Sequence, residues 1–147
     1  MIRISKLRGQ RVMGASTAQL VGSIGRLLVE PTSGRVVAAG IEGVVGPATV
    51  LPWDSVSAIG PDAVIIEADQ LSEPGGQPSG ALTDLYELNG RPVLTERGDS
   101  MGRLEDVEVD EESGRVVGLV VPGRSLPLER FVALGRDAVI VPAPAPG

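Results

Sequence analysis

The chain has 147 residues, no cysteine and no histidine, and a formal net charge of −6. These absences exclude disulfides and thiolate metal sites, and remove the commonest general base, proton switch and zinc ligand. The acidic balance, with Lys6 as the only lysine, lacks the clustered positive charge that neutralises phosphates, so no nucleic-acid partner is expected. Arginine in place of lysine reads as the bias of a GC-rich genome rather than as chemistry.

The elements follow in chain order. Ile4 and Leu7 are spaced for a single helical turn. Leu7, Gly9 and Val12 form a Leu-x-Gly-x-x-Val opening, and Ile24-Gly25-Arg26-Leu27 follows in an apolar strand. Pro31-Thr32-Ser33-Gly34 is a hairpin turn, with glycine where φ must be positive, and a strand follows over 35–41. Leu51-Pro52-Trp53-Asp54 precedes a second hairpin, whose strands over 56–59 and 63–67 flank Gly60-Pro61-Asp62. Residues 69–81 have the Gly, Pro and Ser content of a linker.

The same order then returns. Leu85 and Leu88 are spaced for a helical turn, Leu88, Gly90 and Val93 repeat the opening, and Met101-Gly102-Arg103-Leu104 matches Ile24 to Leu27. Over 104–110 the alternation puts Val107 and Val109 on one face and Asp106, Glu108 and Asp110 on the other, as in a strand with one wet side. Glu112-Ser113-Gly114-Arg115 is the matching turn, and a strand follows over 115–121. Leu126-Pro127-Leu128-Glu129 leads to a last hairpin, over 131–134 and 138–141, around Gly135-Arg136-Asp137. The end, 144–147, is a proline-rich tail.

The chain is therefore two copies of one unit, over 1–68 and 82–143. On the landmark alignment the second copy has three extra residues before its Ser-Gly-Arg, so the first copy's strand after Leu27 is expected to be shorter. The first copy has five extra residues around 42–49. Valine and isoleucine dominate the apolar positions, and glycine or proline cuts each run before it reaches helical length. Units of this size are marginal alone, so the copies should pack on each other or on a second chain.

The ordered set of landmarks, occurring twice, resembles the PRC-barrel family. That family includes the cytoplasmic part of the photosynthetic reaction-centre H subunit and the C-terminal half of a ribosome maturation factor. The resemblance implies an all-β fold of two small antiparallel barrels in tandem, related by a pseudo-two-fold axis. It also implies a non-enzymatic protein–protein interaction or scaffolding role, with the protein partner unidentified. Asp106 matches the family's acidic residue after Gly-Arg-Leu-x, and the first copy has no counterpart. The alternative reading is a small-ligand or ion-binding barrel, although few polar residues fall at inward positions.

No catalytic, cofactor-binding or metal-binding residue is assigned. Any Ser or Thr nucleophile would need Lys6 or a carboxylate as its base, and no phosphate-binding glycine loop follows a strand. No enzyme activity and no cofactor are expected. The longest apolar run, about 116–121, is far short of the ~20 residues of a membrane span, and no signal peptide is visible, so a soluble cytoplasmic protein is expected. A homodimer is expected too, through the shortened strand of the first copy.

The candidate interaction residues are Trp53, Arg35, Arg115, Asp106, Glu108 and Asp110. Leu128 stands where the first copy has Trp53, so the position reads as packed, with a partner anchor as the alternative. Arg35 and Arg115 follow the turn glycines and read as solvated cross-strand residues or as binding residues. Asp106, Glu108 and Asp110, with Glu105, Glu111 and Glu112, form an acidic cluster, either a wet face or a docking face for a basic partner or cation. Asp62 and Asp137 read as turn residues.

Overall fold

The computed structural model describes residues 1–44, 49–67, 71, 82–128, 132–135 and 137–143. The 69–81 linker, apart from Leu71, and the 144–147 tail lie outside the described residues. The first unit runs β1 (Ile2–Arg3), a helical turn α1 (Ile4–Leu7), β2 (Arg11–Gly14), β3 (Leu20–Glu30), β4 (Arg35–Glu42) and β5 (Val50–Pro52). A 3-10 turn (Trp53–Ser55), β6 (Val56–Ile59) and β7 (Val64–Ile66) complete it. The second unit runs β8 (Thr83–Asp84), a 3-10 turn (Leu85–Leu88), β9 (Pro92–Thr95), β10 (Ser100–Arg103) and β11 (Asp106–Val109). It continues with β12 (Val116–Val121), β13 (Arg124–Pro127), β14 (Ala133–Leu134) and β15 (Val139–Val141). The two leucine-spaced turns form where expected, and their inward residues Ile4, Leu7, Leu85 and Leu88 are buried. Among the described residues, no helix is long and apolar enough to cross a membrane.

The fold is all-β, and the described strands form three sheets. One has the order β5-β4-β3-β2-β7-β6, with β8 also on β3; the others are β1-β11-β12-β13 and β10-β9-β15-β14. Pairing is not wholly antiparallel as expected. β2 runs parallel to β7, and β9 parallel to β15. The cause is connectivity: the intervening strands carry the chain across before it returns beside its opening strand. The described strands form these open paths and do not close into a ring.

The backbone pairing corrects the alignment of the two copies. Gly9 N–H donates to the Ile24 carbonyl and Gly90 N–H to that of Leu104; Ile24 N–H donates to Gln10 and Leu104 N–H to Arg91. Val12 lies opposite Gly22, and Val93 opposite Gly102. Val29 lies opposite Val36, and Val109 opposite Val116. Gly22 therefore corresponds to Gly102, and from there to the Ser-Gly-Arg turns the copies match residue for residue. The strand after Leu27 is not shortened. What differs is the preceding hairpin, which is one residue longer in the first unit, and continuity, since β3 is unbroken where the second unit parts between β10 and β11. The five-residue difference does fall where expected, between β4 and β5, against a tight Pro122-Gly123 turn between β12 and β13.

The leading strands are exchanged. β1 pairs with β11 of the other unit, Ile2 opposite Val109 and Arg3 opposite Glu108. β8 pairs with β3, Thr83 opposite Val29 and Asp84 opposite Leu28. These registers are reciprocal, position for position. The exchange carries each helical turn onto the other unit, so Ile4, Leu7, Leu85 and Leu88 share one continuous core with Val29, Val109, Leu27 and Val107.

Tyr86, the only tyrosine, seals this seam. Its hydroxyl donates to the Ile4 carbonyl at 2.6 Å, and the Arg8 guanidinium lies 5.0 Å from its ring centroid. Burial pushes the phenol well above its ordinary range, against an opposing effect of Arg8. The protonated phenol is the form the fold favours. Its contribution is complete below the unfolded value of about 10 and is lost as pH rises above it through the raised folded value. The near-ultraviolet phenolate absorbance should thus appear only as the β-sheet circular dichroism is lost. Ionisation near the ordinary value with the fold intact would contradict this placement. Tyr86→Phe should cost only about 1 kcal/mol, because the Ile4 carbonyl also accepts from Arg8 N–H.

Candidate interaction surface at the junction of the two units

The two Ser-Gly-Arg turns meet each other. Gly34 and Gly114 take the positive φ that the turn requires, 68° and 76°, and the strands leaving them run antiparallel. Val36 N–H donates to the Gly114 carbonyl and Val116 N–H to that of Gly34, each at 2.8 Å. Arg35 and Arg115 stand directly opposite in a bridge between the units. Flanked by those hydrogen bonds, they are a non-hydrogen-bonded pair, whose side chains leave on the same face. Both are exposed. Like charges directly opposite are unfavourable, so this pairing follows from the meeting of two copies of one turn rather than from cross-strand attraction.

Trp53 lies against the same joint. It is 8% exposed, as is Leu128, its counterpart. An added Cβ on Gly114 would stand 2.9 Å from Trp53 Nε1 and 3.1 Å from the Val36 carbonyl oxygen. Trp53 is therefore an inter-unit packing residue that needs a glycine beneath it. Gly114→Ala should cost about 2–3 kcal/mol, from left-handed backbone strain and displacement of the indole. Gly123, also at positive φ but with nothing near an added Cβ, should lose only about 1 kcal/mol as alanine. Denaturant unfolding followed by Trp53 fluorescence measures both, and equal losses would mean that the indole does not rest on Gly114.

A groove of about 470 Å3 runs beside this contact, lined by Val37, Pro52 and Trp53 together with Asp54, Glu111, Glu112 and Arg35. Asp110 lies beneath the acidic turn. Its carboxylate accepts from Glu112 N–H at 3.1 Å and from Ser113 Oγ at 3.1 Å. The backbone hydrogen bond from Glu112, chiefly, holds it below the usual carboxylate range. Glu111 pairs with the Met1 amine at 2.8 Å. Asp62 and Asp137 stand exposed in their turns, and the Asp62 carbonyl accepts from Arg11 Nε.

Asp106 does not belong to a wet acidic face. It is 8% exposed, and its carboxylate accepts from Ser5 N–H at 3.2 Å, Ser5 Oγ, and Val107 N–H at 2.9 Å. It ties the exchanged α1 turn to β11. The reciprocal seam is tied by Asp84, whose carboxylate accepts from Tyr86 N–H at 3.1 Å and from Leu27 N–H at 3.2 Å. Ser5 corresponds to Tyr86 and Val107 to Leu27, so each seam offers two equivalent amides to one carboxylate. The carboxylate comes from the strand in one seam and from the leading segment in the other. Glu108 is half-buried opposite Arg3. Of the six sequence candidates, the structure gathers Trp53, Arg35 and Arg115 at the joint, with Asp110 under its acidic turn, and takes Asp106 inside. Asp84 and Tyr86 lie outside the sequence candidates, although Asp84 before an apolar helical turn is an N-cap signal.

Two similar all-β units that exchange their leading strands and present a concave joint define a duplicated small-sheet module. The model of the PRC-barrel domain matches residues 1–72 and 83–146, and the chain belongs to that family. No curated protein matches it.

Proposed function

We propose that the chain is a non-enzymatic protein–protein interaction module. In it, two barrel-like PRC units are related by a pseudo-two-fold axis through the Arg35–Arg115 bridge. The joint carries this reading. The shared core and reciprocal strands hold the two arginines, the acidic turn and the Trp53 groove in fixed relation, as a recognition surface requires. PRC-barrel domains are in general interaction modules, which agrees. The tagged chain and an Arg35→Glu/Arg115→Glu variant should be used to capture partners from the native cell extract. A protein whose capture changes between the native chain and the variant supports the reading; no difference between the two overturns it.

The homodimer is retained as part of the proposal, without the shortened strand as its basis. Light scattering across concentrations should give twice the chain mass, and a constant single mass would remove it.

A further inference from the structure

Two places where the copies differ in chemistry converge on one groove. Trp53 corresponds to Leu128, which has no polar atom in its side chain, and Glu111-Glu112 correspond to Pro31-Thr32, which carry no charge. Because the turns meet across the joint, the indole of one unit and the acidic turn of the other line the same concavity. The equivalent positions, Leu128 with Pro31 and Thr32, lack the indole donor and the two turn carboxylates.

Trp53 also carries an unused donor. Its side chain is more than nine-tenths buried, and its Nε1–H has no acceptor among the described residues without being sealed from solvent. The groove wall of Val37, Pro52 and Val56 is apolar and half-buried. An extended chain laid there would meet apolar residues, the indole of Trp53 and three carboxylates.

We propose, resting on the interaction reading above, that this groove receives an extended basic segment of a partner protein. A backbone carbonyl of that segment accepts from Trp53 Nε1–H, an apolar side chain lies on Val37, Pro52 and Val56, and Lys or Arg side chains face Asp54, Glu112 and Glu111, the last exchanging the Met1 amine for one of them. Arg35, which also lines the groove, repels a second basic group and so orients the segment.

The single tryptophan makes the test direct, because the full chain has one indole N–H proton resonance. A capped hexapeptide of alternating Arg and Val should shift that resonance saturably, and one of alternating Glu and Val should leave it in place. Glu111→Gln/Glu112→Gln should weaken the basic peptide at least tenfold. Glu96→Gln/Glu105→Gln, the same change of charge away from the groove, should not. An unmoved indole, an equal response to the acidic peptide, or equal weakening in both variants overturns the proposal. If the protein captured from extract stays on Glu111→Gln/Glu112→Gln but leaves Arg35→Glu/Arg115→Glu, the interaction reading stands and this groove is not its seat.

Discussion

Separated halves, 1–70 and 79–147, are expected to be largely unfolded alone and to regain β structure when mixed. Each half takes away a strand that the other needs. Without the second unit, β3 loses β8, and the apolar face of α1 loses its place on β11. Most buried apolar residues of both units belong to one core cluster, so each fragment would expose apolar surface that the intact chain removes from water. A unit of this size buries only about 60% of its unfolded surface at best, and whole-chain stabilities are only about 5–15 kcal/mol. Losing half of a shared core should exceed that margin. Circular dichroism of each fragment, and of the equimolar mixture, measures this. Either fragment alone melting cooperatively as high as the intact chain would show that the exchange is dispensable.

Asp106→Ala should destabilise the chain by about 2–4 kcal/mol, because it strips the acceptor from two backbone amides and a hydroxyl at the seam. Asp106→Asn keeps an acceptor oxygen and should cost about 1 kcal/mol. The reciprocal seam supplies a sharper test. There the carboxylate is Asp84, at the position of Arg3, and Arg26 stands at the position of Asp106. Asp106→Arg should therefore be severely destabilising, and adding Arg3→Asp should recover at least half of the loss by rebuilding the other seam's arrangement. A double-mutant cycle by denaturant unfolding gives the coupling. Simple additivity would mean that the two seams are not interchangeable.

Much of the local structure was legible in the sequence, since short-range rules govern it. The Ser-Gly-Arg turns need a glycine at positive φ, and both have one. Leucine-spaced turns at Ile4–Leu7 and Leu85–Leu88 have only one inward face to bury. Aligning Ile24 to Leu27 with Met101 to Leu104 failed because side-chain identity does not set a register. Backbone hydrogen bonds do, and they match Ile24 with Leu104. Alternation put Asp106 on a wet face, yet the incoming α1 turn covers it and supplies its donors.

The all-β class, the duplication and the turn positions are legible from residues alone, as is the exclusion of histidine and thiol chemistry. Each of these depends on residue type and near spacing. Only the tertiary structure decided that β1 and β8 cross to the opposite unit. Strands of two residues carry too little pattern to name a partner, and the choice rests on core burial that exists only once both units are present. The groove is likewise a tertiary product. Trp53 and Glu111-Glu112 are far apart in the chain, and they meet because two copies of one turn pair with each other across the joint.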